Sequence, residues 1–483
     1  MIPARTKYLS AIPSFYFLFV FGLSAAGLIG PDEPRYASIG REMAVSGDWI
    51  TPRLWGETWF EKPPLLYWMA ATGFRAGLGT ELAARLPVAL TGIAFLIFFF
   101  VLLRREFGEL PAFYSTVILA TSAGWIAFSH AAATDLPLAA TFGASVLLAM
   151  VWLRRQSKRA LIGSGVLLGL AILAKGLVPL VLTVPLFWFG RRRVRDLALF
   201  VAVAVAAAAP WYVAVTLWHG SEFINEFFWK HHFERFASES LQHVRPFWFY
   251  IPVLLAGIFP WTPLLMLLAR RVDRDIPRRF LTAIVVFGFV FFSVSTNKLP
   301  GYLLPLFPPL CVLLGVALDE VKSKGRGQQQ AILLAACAAL LGLVPVAGSL
   351  LPRALQSGLS RASWALSWPG IFAALALSVI VWFAVSRRRS PLALSIIAVA
   401  SVAGVIYLKI VALPQVDRTA SSRGLWLEVE PVAEFVCVAG ISRSWRYGLN
   451  YYAGAPFFEC ASETAKLQIV QQPGRRPELR RAR

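Results

Sequence analysis

Acidic residues are scarce in this chain. Its 483 residues hold 26 Asp and Glu against 47 Lys and Arg, a formal net charge of +21. Charge of either sign is sparse too: 15% of positions are charged, 57% are hydrophobic and the mean hydropathy is +0.63. A soluble protein of this size would leave too much apolar surface in water, so the bulk of the chain lies in lipid. In a soluble protein so large a positive excess would point to nucleic acid. Here the cations form short clusters between apolar runs, the pattern of cytoplasmic loops, which argues against a nucleic-acid partner.

Several chemical signatures are missing. The sequence has no Walker-type glycine-rich loop, no Cys/His spacing of metal ligands, no GxSxG elbow and no dinucleotide fingerprint. An ATP-driven transporter is therefore poorly supported. Cysteine is nearly absent, with four residues in all. Cys311 and Cys337 fall in apolar runs and read as inert core residues. Cys437 and Cys460 fall in the polar C-terminal segment, where a disulfide and two free thiols are both open.

The basic clusters set a topology. They are Arg5/Lys7, Arg104-Arg105, Arg154 to Arg159, Arg191 to Arg195, Arg270 to Arg279, Lys322 to Arg326 and Arg387 to Arg389. With all of them on the cytoplasmic side, each interval holds two crossings, and a last run crosses outward, about thirteen spans in total. The expected spans are 9–29, 83–103, 111–129, 135–153, 160–174, 176–190, 197–217, 247–269, 279–296, 301–318, 330–350, 365–386 and 391–412. The run 9–29 is long enough to cross and is read as a span in preference to a cleaved leader. In 160–190, Lys175-Gly176 marks an outer turn between two short spans; one long helix with a re-entrant piece is the alternative. The expected fold class is an all-α polytopic membrane protein over 1–413, followed by a small mixed α/β domain over 414–483. Within that domain Val432–Val438 and Tyr447–Tyr452 are rich in β-formers, and Arg475 to Arg483 is expected to be disordered.

All large polar connectors then share the outer face. The first, Gly30 to Pro64 and beyond, carries Asp32, Glu33, Arg35, Arg41, Glu42, Asp48, Glu57, Glu61 and Lys62 among Trp49, Trp55, Trp59, Tyr67 and Trp68. Charges of both signs at a membrane face, where they cost least, suit a site for a lipid headgroup. Asp32-Glu33 can act as a base, hold a divalent metal or simply cap a helix. Glu61-Lys62 precedes two prolines that fix the backbone, and a lysine there can bind phosphate; an ordinary surface pair is the plainer alternative. His130 and Asp135 flank the second outer turn, where a helix N-cap competes with a catalytic role. Trp229 to Phe236 combines His231, His232, Glu234 and Arg235 with aromatics, the mark of a metal, phosphate or sugar site or of an interfacial helix. Lys298, between two spans beside Pro300 and Gly301, needs an anionic partner such as a lipid phosphate, or else snorkels to a headgroup.

The set GPDEPRYA, SGDWITPRL, FEKPPLLYW, AARLPVAL, LAKG and NKLPGYLLPLFP resembles bacterial polyprenyl-phosphate-sugar-dependent glycosyltransferases of the GT-C fold. That family includes lipid A aminoarabinose transferases and, more distantly, protein O-mannosyltransferases. The resemblance implies an inner-membrane enzyme whose active site faces the periplasm. It implies an undecaprenyl-phosphate-linked sugar as donor and lipid A or another envelope glycan as acceptor. Protein or polysaccharide glycosylation, and a flippase for the same lipid-linked sugar, are the alternatives. By position it makes Asp32 and Asp135 the catalytic acids, with Glu33 and Arg35 flanking Asp32. Glu61, with Asp32 and Glu33, resembles a divalent-metal set, and Lys62, Arg235, Lys298 and Tyr302 resemble contacts to the lipid phosphate. A histidine that completes the metal site in aminoarabinose transferases has no counterpart, since none follows His243. Membrane lipids are the expected surroundings, and a monomer the expected state.

Overall fold

A computed structural model describes residues 11–227, 229, 244–269, 275–323, 325–460 and 467–481. Among them eight helices are long and apolar enough to cross a membrane: Thr80–Phe107, Asp135–Arg155, Val194–Phe227, Ile276–Val294, Pro300–Val321, Gly327–Ser357, Trp368–Ser386 and Ser390–Val411. A ninth arises if Glu109–Ala120 and Ala123–Ser129, bent by 58°, count as one. Asp135–Arg155 and Pro300–Val321 form the centre, with 89% and 94% of their apolar windows buried, whereas Trp368–Ser386 lies outermost at 17%. The helix Lys158–Lys175 stops at Gly176, whose φ of 76° favours glycine, and two short helices, Val178–Leu182 and Val184–Gly190, follow. The chain thus breaks where Lys175-Gly176 marks the turn.

The first apolar run departs from expectation. In place of a continuous helix over 9–29, a short helix Ala11–Phe15 passes into a π turn at Tyr16–Val20, and residues 21–26 turn. The irregular backbone is tolerated because two cations collect its carbonyls. Lys409 Nζ donates to Phe17 O and Leu18 O at 2.8 and 3.2 Å. Arg85 takes the next set. Its Nη atoms donate to Leu23 O, Ala26 O and Gly27 O at 2.8, 2.7 and 2.9 Å.

Arg85 also binds Glu33 through two parallel hydrogen bonds, Nε to Oε1 at 2.8 Å and Nη2 to Oε2 at 2.7 Å. All five guanidinium donors are thereby used. Glu33 accepts further bonds from Ala132 N at 2.8 Å and Ile29 N at 2.9 Å. This buried pair fastens four segments to one another: the first run, the helix Asp32–Ser46, the helix Thr80–Phe107 and the turn before Asp135.

The C-terminal segment has its own small core, which includes Leu425, Val429, Val438, Trp445, Leu449 and Ile469. Its sheet pairs Val436–Ala439 in parallel with Leu467–Val470, which pairs antiparallel with Glu478–Arg481. Cys437 and Cys460 form a disulfide. Two local expectations are corrected. Tyr447–Tyr452 belongs to a helix, Arg443–Ala453, because Trp445 and Leu449, four residues apart, both face the core. The basic end is ordered as an edge strand over Glu478–Arg481, with Leu479 packed on the core.

Replacing Arg85 with Met should cost about 3–5 kcal/mol, because Glu33 is left buried and unpaired. The double variant Glu33→Gln/Arg85→Met should recover part of that loss. Thermal unfolding of purified protein in detergent measures both.

Candidate active site

The helix Asp32–Ser46 begins with two acids, favoured at the positive end of the helix dipole. Adjacent helical positions point about 100° apart, so the two carboxylates diverge. Glu33 turns inward to Arg85, whereas the Asp32 side chain remains 52% exposed. One turn on, Arg35 folds back beneath Asp32 and meets it at 2.6 Å. The same guanidinium reaches Glu61 at 3.0 Å, and Glu61 lies 3.5 Å from Lys62 Nζ. Pro63 and Pro64 halt any helix until Leu65, and Phe60 is fully buried, so Glu61 and Lys62 are held between two anchors. Burial opposes the Arg35 charge, but Tyr36, Glu61 and Asp32 outweigh it and hold its pKa above the ordinary value. Burial, aided by Asp32 and Glu61, pushes the Tyr36 hydroxyl well up. Burial and Glu61 do the same to Tyr67. Both phenols stay neutral beside a charged arginine.

A second charged pair stands close by. Lys175, at the end of the helix Lys158–Lys175, meets Asp135 at 2.6 Å and lies 4.8 Å from the Tyr302 ring centroid. Gly301 makes room for that pair, since a Cβ there would fall 2.2 Å from Asp135 Oδ1. Lys175 also lies within Coulombic reach of Asp32, which links the two clusters. Asp135 is the first residue of its helix, and Thr134 makes no side-chain cap there, so the capping alternative fails. His130 faces Ile126 O at 2.8 Å; burial, with Lys409, pushes its imidazole down to about 3, so it is neutral at physiological pH.

Lys298 follows a different course. It is buried in the connector before Pro300, donating to Arg245 O at 3.2 Å and to Ser295 O. Burial lowers its pKa. Beside it opens an apolar groove of about 370 Å³, lined by Val244, Phe247, Trp248, Phe289 and Val290, with Arg245 at its edge. No described contact joins Lys298 to Asp32, although Tyr302, four residues on, touches the Lys175 pair. Arg235, with His231 and His232, lies outside the described residues.

The structure therefore gathers Asp32, Arg35, Glu61 and Lys62, and beside them Asp135 and Tyr302. Of the expected metal set, Glu33 is turned away from Asp32 and Glu61. Glu33 is fully engaged by Arg85 and two amides, and Arg35 and Lys62 sit on Glu61. Two cations on the remaining acids oppose a divalent ion, and among the described residues no group of three or more His, Cys, Asp or Glu is placed to hold one. Lys175 and Arg85 received no role from the sequence. The signal was there, a cation inside an apolar run, which demands an acid.

Comparison with known proteins supplies the context. Residues 61–218 match the model of the dolichyl-phosphate-mannose-protein mannosyltransferase family. An undecaprenyl phosphate-alpha-4-amino-4-deoxy-L-arabinose arabinosyl transferase 2 of Pseudomonas fluorescens is 34% identical over 326 residues, 64% of this chain and 55% of that protein. A Pseudomonas aeruginosa transferase of the same name, without the numeral, is 35% identical over 328 residues, 64% of this chain and 58% of that protein. The chain thus spans less than three-fifths of the length of these two curated relatives. The crystal structure of ArnT from Cupriavidus metallidurans bound to undecaprenyl phosphate superposes with a TM-score of 0.77 at 27% identity, covering 95% of this chain and 87% of that one. In sequence the chain is thus similar to aminoarabinose arabinosyl transferases over part of their length, and in fold to ArnT over most of it.

Proposed function

We propose that this protein is an inner-membrane glycosyltransferase that moves a sugar from undecaprenyl phosphate to lipid A or another envelope acceptor at the periplasmic face. The observation that carries the reading is the meeting of a half-exposed Asp32 with Arg35, Glu61, Lys62 and the Lys175–Asp135 pair. The printed names of the relatives and the undecaprenyl phosphate bound to ArnT support the choice of donor. The apolar groove beside Lys298 suits an isoprenoid chain, with the cation at its end for the phosphate.

Transfer turns the lipid phosphate into a leaving group, so negative charge builds on it. Lys62, Lys298, Tyr302 and Arg235 are assigned to that charge. Fixed donors in a site of low dielectric need no reorganisation as the charge develops. Asp32 takes the proton of a hydroxyl acceptor; where the acceptor is already a phosphate, Asp32 positions it instead. Lys175 keeps Asp135 neutralised and oriented beside the reacting centre, and Arg35 does the same for Asp32 and Glu61. No step in this scheme needs a metal.

The topology belongs to the proposal as well. About thirteen crossings place these residues on one face under the positive-inside rule, the short helices Val178–Gly190 and Phe247–Gly257 lying within further crossings. The chain divides into a membrane domain over 1–413 and a periplasmic unit over 414–483. The Cys437–Cys460 disulfide suits the oxidising side.

Asp32→Asn should abolish transfer while the protein still folds and inserts. The assay is release of undecaprenyl phosphate from donor and lipid A by the purified protein, with normal turnover removing the assignment. Lys62→Met should lower kcat by roughly 100-fold or more, the usual cost of one donor to a developing anion. Intact-mass analysis of lipid A from cells with and without the protein checks the acceptor.

A further inference from the structure

Trp55 occupies an unusual backbone position. It sits at the tip of a hairpin that pairs Arg53–Leu54 with Glu57–Thr58, and its φ is 55°. The left-handed region is costly for a bulky residue, and such positions persist where the surroundings enforce them, often at functional sites. Glu42 does the enforcing. Its carboxylate accepts the amides of Trp55 and, at 3.0 Å, of Gly56. An acid of the outer loop is thus committed to aiming one indole ring.

That ring meets the C-terminal unit. It stacks on Tyr447 with centroids 5.6 Å apart and planes at 24°. Tyr447 in turn lies 5.7 Å from the guanidinium of Arg35, the residue that pairs with Asp32 and Glu61. Arg443, exposed and one turn earlier on the same helix, lies 5.3 Å from the Tyr447 ring. Trp59 completes the wall at 5.5 Å from Arg35. The Nε1 donors of Trp55 and Trp59 are both buried with no hydrogen-bond partner among the described residues. Donors buried in this way cost free energy, which the packing of the two rings must offset. The unit that carries Tyr447 is firmly seated: Arg41 donates to Tyr451 O at 2.8 Å, and the Tyr451 and Tyr452 hydroxyls donate to Thr80 O and Glu81 at 2.8 and 2.9 Å.

Partly exposed aromatic faces with an arginine at the rim match one ligand chemistry. A pyranose ring offers an apolar C–H face for the rings, and Arg443 suits an anionic substituent. We infer that Trp55 and Tyr447 form a seat for a pyranose ring beside Asp32, which makes the C-terminal unit part of the substrate-selecting surface. The inference rests on the proposed transfer function for its assay, though not for its binding test. Two rings satisfy the chemistry, the transferred sugar and a sugar of the acceptor.

Steady-state kinetics on the purified full chain separates them. Tyr447→Ala and Trp55→Leu should each raise one KM about tenfold, the order of a lost ring contact, with kcat little changed; Tyr447→Phe should keep the wild-type value. A rise in donor KM assigns the seat to the transferred sugar, and a rise in the lipid A KM assigns it to the acceptor. Unchanged KM values in folded variants, or a fall in kcat alone, overturn the seat. Calorimetric titration with undecaprenyl phosphate-4-amino-4-deoxy-arabinose, undecaprenyl phosphate alone and lipid A gives a readout free of turnover. If wild-type protein turns nothing over yet favours a sugar-bearing ligand in a Tyr447-dependent way, the transferase reading fails and the seat stands. If Tyr447→Ala does not fold, Tyr447→Leu and Trp55→Leu carry the same test, with thermal midpoints as the control.

Discussion

The ion pair between Glu33 and Arg85 is the constraint on which the site depends. It is buried among apolar helices, where either charge alone would be strongly destabilising. Its geometry resolves the cost. Every guanidinium donor has an acceptor, and each Glu33 oxygen accepts one bond from arginine and one from a backbone amide. A fully satisfied network of this kind holds one arrangement, since any displacement breaks several bonds together. Because Glu33 adjoins Asp32, the pair also fixes where Asp32 stands and which way it faces.

From that fixed point the charges alternate in sign. Asp32, Arg35, Glu61 and Lys62 follow one another in space, with Lys175 and Asp135 alongside. Each acid is held by a cation and the aromatic rings shield the arginine, so the cluster survives partial burial without a large net charge. Such a surface is preorganised, since each cation is held in place by the acid beside it. The C-terminal helix closes one side, so a unit distant in sequence becomes a wall of the site. The disulfide and the contacts to Thr80 and Glu81 keep that wall in place.

Legibility in the sequence followed the range of the interaction. Asp32 with Arg35 is an i,i+3 pair, and Glu61-Lys62 is fixed by the prolines beside it, so both could be read locally. Lys175 with Asp135, and Arg85 with Glu33, bridge 40 and 52 positions. A cation inside an apolar run demands an acid, but nothing local says which one. Glu33 follows the same rule: beside Asp32 it resembles a second ligand, and only the helical rotation between them sends it to Arg85. The first apolar run is long enough for a crossing, but it is not one straight helix, because its bend depends on Lys409 and Arg85 donating to the exposed carbonyls.

The sequence by itself determined that the chain is built of long apolar helices and which of its connectors are rich in charge, because hydropathy and the cost of burying charge act on each segment separately. Tertiary structure alone decided which acid meets which cation, that Glu33 turns from Asp32 to Arg85, and that Tyr447 comes to lie over Arg35. Those outcomes depend on how helices far apart in the chain are rotated and packed against one another, and no local preference encodes that angle.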